Sequence, residues 1–283
     1  MPKASWPGNI SNEMEDEKDM TDLAKYGPWA LIIGGSEGVG AAFARKLATD
    51  GFKLVLVARK PGPLQELSDE LTAGGAEVRI ASVDLSKPDA LNRVREVTDD
   101  IAVGMLVYVA GANNTRGNIV EIDPAVYRSV IAITVTGQSE FTRHYGALMR
   151  ERGRGGIILT GSLSGYMGSA TLAAYTASKA FSRVFTEALW AECEPMGIDV
   201  LHLNIGFTAT PAMARLGIDL SAATAPEVVA QEGLDNITNG PVWIAGGEAN
   251  RERARQRSVV DGRADAMRAF ATPRREGMAH TSR

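Results

Sequence analysis

Cysteine is nearly absent: Cys193 is the single one in 283 residues. That excludes an internal disulfide and any zinc site built on clustered cysteines. It fits a reducing compartment, and the expected location is cytoplasmic. Cys193 itself is expected to be a small apolar filler. Histidine is scarce too, and His144, His202 and His280 show no metal-ligand spacing, so no metal centre is expected. An excess of positive charge is missing. The net charge of −4 speaks against nucleic acid or an anionic membrane surface as a partner. No apolar run approaches the length of a membrane span. The longest, IAVGMLVYVAGA, reads as a buried strand with its flanks. No apolar segment follows Met1, so a signal peptide is not expected.

Two catalytic signatures are also lacking. The glycine-rich stretch IIGGSEGVG is not closed by a Lys-Ser/Thr pair, which argues against a nucleoside-triphosphate loop. Ser162 in TGSLSG lacks the Gly-x-Ser-x-Gly elbow of hydrolases.

What is present is a regular alternation. The segments 29–34, 53–58, 77–83, 105–110, 156–161 and 199–205 are short, largely apolar runs, with a seventh at 241–246. Continuous apolar character predicts strands buried on both faces. Helical patterns fall near 38–50, 63–73, 88–99, 124–149 and 174–195. Strand–helix alternation predicts one doubly wound parallel sheet with helices on both faces, over residues 27–271. Residues 1–26 carry the acidic run SNEMEDEKDMTD and are expected to form a loosely held extension, and 272–283 a flexible tail. Between Arg251 and Glu276 eight arginines face four acids, which predicts a solvated helix with subunit contacts.

IIGGSEGVG follows the first strand and opens the first helix. Gly34, Gly38 and Gly40, with Ser36 and Val39 between them, permit a tight turn and close approach of a pyrophosphate to the backbone. The helix start then presents free N–H groups and the positive end of its dipole. After the second strand comes LVARK. Ala58 stands where an NAD site needs an acid, and Arg59 follows. A guanidinium there suits the 2′-phosphate of NADP(H), with NAD(H) as the alternative. Glu37, inside the glycine loop, adds a negative charge nearby. Further on, AYTASKAF sets Tyr175 and Lys179 one helical turn apart on a shared face.

These motifs resemble the short-chain dehydrogenases/reductases. The chain carries Gly34-x-x-x-Gly38-x-Gly40, Tyr175-x-x-x-Lys179, and Ser162 thirteen residues before Tyr175. VDL (83–85) and GFTAT (206–210) fall in the matching order, and the likeness spans roughly 28–215. The resemblance implies a Rossmann-type fold and a nicotinamide cofactor. It also implies interconversion of a ketone or aldehyde and an alcohol. Tyr175 would be the acid/base, Lys179 would lower its pKa and hold the nicotinamide ribose, and Ser162 would orient the substrate oxygen. Ser164 offers a rival hydroxyl. Asp84 and Leu85 would border the adenine, and Ala110 and Gly111 the cofactor after the fourth strand. Gly206, Thr208 and Thr210 would pass the nicotinamide. The family also implies a substrate lid near 207–225 and a homodimer or homotetramer.

Three departures stand out. Tyr108 and Val109 replace two asparagines, Thr134 takes the place of the helix asparagine, and Ile205 replaces a proline. In the family that helix asparagine's backbone holds a water bonded to the lysine. Thr134 would either keep this backbone role or simply bond its own helix. The departures and the charged ends motivate a second reading, a catalytically silent cofactor-binding sensor or scaffold. Against it stand Ser162, Tyr175 and Lys179 at working spacing. Tyr166, Met167, Leu172, Phe207, Met213 and Leu216 are expected to line the cleft, which suits an apolar small-molecule carbonyl or alcohol; core packing accounts for several of them equally well.

Overall fold

Seven parallel strands form at the expected places in the computed structural model, which describes residues 20–111 and 116–271. They are β1 (Trp29–Ile33), β2 (Lys53–Ala58), β3 (Val78–Ser82), β4 (Val103–Tyr108), β5 (Gly155–Thr160), β6 (Ile198–Asn204) and β7 (Val242–Ile244). The sheet order is β3-β2-β1-β4-β5-β6-β7, and the helices include α1 (Leu23–Tyr26), α4 (Ala90–Arg95) and α9 (Pro226–Asp235). The chain leaves β1 in one direction and returns beside it at β4, so the topological switch point lies between these strands. Ligands in such sheets bind outside the carboxyl ends at that point.

Both faces of the sheet are covered, which is why the strands read as unbroken apolar runs. On one face Ala30, Ile32, Leu54, Leu56 and Val107 pack with Phe43 and Leu47 of α2 (Gly38–Thr49) and with α3 (Pro61–Ala73). On the other, Leu31, Ile33, Val55, Leu106 and Ile157 pack with Phe141, Tyr145 and Met149. Each of the larger of these side chains contributes about 1.5–3 kcal/mol by leaving water. Truncating one, as in Ile32→Ala, would leave a cavity costing about 2–5 kcal/mol. Cys193 is buried in the second cluster as a small filler.

Three expectations need correction. The helix predicted over 124–149 is interrupted: α5 (Pro124–Ile131) passes through a π-helical turn, Ala132–Gly137, into α6 (Gln138–Arg152). The extension expected over 1–26 is anchored at its described end. The Thr21 amide donates to Asp50, and the buried Tyr26 phenol donates to Asp199 at 2.6 Å. Residues 1–19 and 272–283 lie outside the described residues. Finally, the arginine-rich end is not simply solvated. It forms α10 (Glu248–Ser258) and α11 (Arg263–Ala271), and two of its arginines turn into the protein.

Candidate active site

Ser162 lies two residues beyond the end of β5, and its hydroxyl accepts from the Ser164 amide at 3.1 Å, capping a short 3-10 turn, Leu163–Gly165. Ser164 is therefore the capped residue, and Ser162 is the hydroxyl held at the strand end. A Cβ on Gly165 would come within 2.7 Å of the Lys179 backbone. The missing side chain lets this turn press against α7 (Ala173–Cys193), which carries Tyr175 and Lys179. Arg257 donates to the Leu163 carbonyl at 3.1 Å, and Arg263 to the Tyr166 carbonyl at 2.5 Å. Sequence reasoning missed these two supports, because nothing near them in the chain distinguishes an inward arginine from a solvated one.

Lys179 is 5% exposed. Its ammonium donates to the Thr160 carbonyl at 3.0 Å and lies 5.8 Å from the centre of the Tyr175 ring. Burial pulls its pKa down to about 8. Tyr175 is half-buried. Burial pushes its phenol above the ordinary range, and the neighbouring Ser162 side chain pulls in the other direction. His202, wholly buried in β6, is held down to about 3 by burial, with the Lys179 and Arg183 charges adding to this, so it is neutral near pH 7.

Thr134 sits in the π-helical turn, and its hydroxyl donates to the Val130 carbonyl at 2.5 Å. The hydroxyl is thus bonded to its own helix, and its methyl faces the chain at Gly111. A Cβ on Gly111 would lie 2.6 Å from Thr134 Cγ2 and 3.5 Å from Lys179 Nζ. Gly111, Thr134 and Lys179 therefore meet at one spot.

The glycine loop fits a nucleotide pyrophosphate. Gly34 has a φ of +92°, and a side chain there would strike the Ala110 amide at 2.8 Å. The first intrahelical bond of α2 is Ala41 N–H to the Glu37 carbonyl, and Glu37 provides no side-chain cap. The amides of Gly38, Val39 and Gly40 thus precede the helical ladder and remain available to an anion. Ser36 completes the turn and Val39 is buried beneath it. Around the loop, Ala110 is held to β1 by its amide bond to Ile33 at 2.9 Å. Thr210 caps α8 (Pro211–Ala214), and its methyl would lie 3.0 Å from a Cβ on Gly38.

The other expected cofactor residues have the following surroundings. Arg59 is exposed just after β2. Asp84 accepts from the Ser86 amide and hydroxyl at 3.0 and 2.8 Å, and these bonds lower its pKa. Leu85 packs on the core. Thr208 is buried and bonds the Gly206 carbonyl at 3.3 Å, while Gly206 lies against the Asn250 side chain. Of the expected substrate-lining residues, Met167 and Leu172 are buried, while Phe207 and Leu216 are exposed. Among the described residues, no group of three or more His, Cys, Asp or Glu side chains could hold a metal, and no helix is long and apolar enough to cross a membrane.

Comparison with known proteins identifies the family. A 7beta-hydroxysteroid dehydrogenase of Clostridium sardiniense is 34% identical over 242 residues, covering 84% of this chain and 92% of that protein. A solved 7beta-hydroxysteroid dehydrogenase superposes with a TM-score of 0.82 at 29% identity, covering 89% of this chain and 99% of the other. A short-chain dehydrogenase of Sphingobium yanoikuyae, solved with NADPH, gives 0.71 at 26% identity, covering 90% and 98%. Nothing in these likenesses favours a silent sensor or scaffold. The sequence pattern of the short chain dehydrogenases matches residues 28–220, and the chain accordingly belongs to that family, as an NAD(P)-dependent oxidoreductase that interconverts alcohols and carbonyl compounds.

Proposed function

We propose that the protein is an NADP(H)-preferring dehydrogenase/reductase acting on a bulky, apolar ketone or secondary alcohol of the hydroxysteroid kind. One observation carries the chemistry: a buried lysine ammonium sits beneath the Tyr175 ring, with the Ser162 hydroxyl beside the phenol. When bound, the nicotinamide supplies or accepts the hydride. In the reducing direction, Ser162 and Tyr175 hydrogen-bond the carbonyl oxygen, and the Tyr175 phenol gives up its proton as negative charge builds there. Burial opposes the phenolate left behind, and the nearby Lys179 charge offsets that cost. With a pKa of about 8, Lys179 is mostly protonated at pH 7 and supplies this charge. In the oxidising direction the same phenolate takes the proton back. Thr134 enters through its backbone, since its hydroxyl is engaged within its helix.

The amides at the start of α2 would hold the pyrophosphate, Lys179 the nicotinamide ribose, and Asp84 and Leu85 the adenine. Ala110, Gly111, Gly206, Thr208 and Thr210 would form the walls. NADP(H) is favoured because Ala58 is followed by the exposed Arg59, and because the nearby acid, Glu37, is already paired with Arg215. The NADPH complex of the Sphingobium relative supports the same choice. Phe207 and Leu216, apolar yet exposed, support an apolar substrate. Segment 207–225 serves as the lid over it. A cytoplasmic homodimer or homotetramer belongs to the same proposal, and the exposed Phe181 and Val184 on α7 support the assembly.

The test is NADPH oxidation with purified protein over a panel of ketosteroids and short-chain ketones. Turnover of ketosteroids well above that of acetone-sized ketones is expected. Equal turnover, or a preference for small polar ketones, would overturn the substrate class.

A further inference from the structure

Two departures from the family pattern, Tyr108 and Thr134, meet in the structure. Tyr108 ends β4, is wholly buried, and packs edge-on against Phe141. Its phenol donates to the Ile133 carbonyl at 2.6 Å, inside the π-helical turn. Its own carbonyl accepts from the Thr160 hydroxyl at 3.1 Å, and the Thr160 carbonyl accepts from Lys179 at 3.0 Å. Thr160 and Tyr108 thus link the Lys179 ammonium, residue by residue, to the π-helical turn.

A π-helical turn passes each carbonyl to a donor one residue further on than an α-helix does, and such turns, rare overall, are frequent at functional sites. An added donor at the Ile133 carbonyl favours the wider ladder. Gly137 makes room for it, since a Cβ there would lie 2.7 Å from the Tyr108 hydroxyl. The turn in its present form sets Thr134 against Gly111, beside Lys179.

We propose that Tyr108 is a positioning residue: by bonding the Ile133 carbonyl it holds the 132–137 turn in its π form and so keeps Thr134 closed over the Lys179 ammonium. The proposal rests on the reading of Lys179 given above. Full burial keeps the Tyr108 phenol protonated, hence a donor, far above neutral pH. Among the described residues, the other titratable groups facing Lys179 are Tyr175 and His202, both neutral near pH 7. Neither competes with the packing around the ammonium.

The test titrates Lys179 directly, without cofactor or substrate. Protein labelled with 13C at lysine Cε is followed by NMR against pH, the Lys179 signal being assigned with Lys179→Met. The parent protein should titrate near 8. Tyr108→Phe removes only the hydroxyl, and Gly137→Ala displaces it while leaving Tyr108 in the chain. Each variant should raise the Lys179 pKa by about one unit as the turn relaxes and water reaches the ammonium. A purely structural tyrosine would lower the melting temperature and leave the titration where it was. A folded variant of either kind with an unmoved Lys179 pKa overturns the proposal. If Tyr108→Phe fails to fold, Gly137→Ala decides alone, because alanine favours a helix more than glycine does. The readout needs no turnover, so it fails or succeeds separately from the ketosteroid assay that tests the proposed function.

Discussion

Arg215 and Glu37 bind each other through two hydrogen bonds, of 3.0 and 2.6 Å, across 178 residues of sequence. The pair ties the segment after β6 to the glycine loop that starts α2. The Arg215 guanidinium holds the Glu37 carboxyl below the usual carboxylate range.

This pair should act as a latch over the cofactor. Glu37→Gln keeps the shape and removes the charge. We expect NADPH to dissociate several-fold faster from that variant in stopped-flow fluorescence, roughly the effect of losing an exposed ion pair. Because the carboxyl's folded pKa is depressed, the latch is complete above the ordinary carboxylate range and is lost as pH falls through the lowered value. An unchanged dissociation rate would mean that the pair does not close the cleft.

Arg59 should discriminate between the two nicotinamide cofactors. Paired, charge-assisted bonds to a 2′-phosphate are worth more than any contact to a ribose hydroxyl. Arg59→Ala should weaken NADPH binding by about tenfold or more and NADH by less than about twofold. Titration by protein fluorescence measures both. Tighter NADH than NADPH binding by the parent protein would contradict the preference.

Lys179 should leave a mark on stability against pH. Its folded pKa of about 8 lies below the ordinary 10.5. Between these values the unfolded chain holds the proton and the folded one does not. Stability from this group therefore rises with pH across that window, and the cost of the buried charge is full below it. Relative to Lys179→Met, the parent should gain on the order of 2–3 kcal/mol from pH 8 to 10. Urea unfolding at several pH values gives the difference. A flat difference would place Lys179 in water rather than under Tyr175.

Much of this was legible in the sequence because the signals are local. The seven strands are buried on both faces, so their apolar runs are unbroken. Tyr175 and Lys179 share one helix face, and Gly34, Gly38 and Gly40 fall in one turn. What was not legible depends on distant contacts. Residues 124–149 have ordinary helical periodicity, and nothing in them announces the π-helical turn, whose bonded partner Tyr108 comes from β4. Arg257 and Arg263 sit among charges that look solvated, yet they bond carbonyls about 95 residues away, at Leu163 and Tyr166. The anchoring of residues 20–26 depends on Asp50 and Asp199, and an acidic, polar stretch gives no sign of either.

The most direct test of the whole account is Tyr175→Phe, assayed for NADPH-dependent reduction of a ketosteroid that the parent protein turns over. The ring and its packing stay, and only the ionisable hydroxyl goes. The account predicts that kcat falls by about a hundredfold or more while the NADPH dissociation constant stays within about twofold. Full turnover by Tyr175→Phe would contradict it.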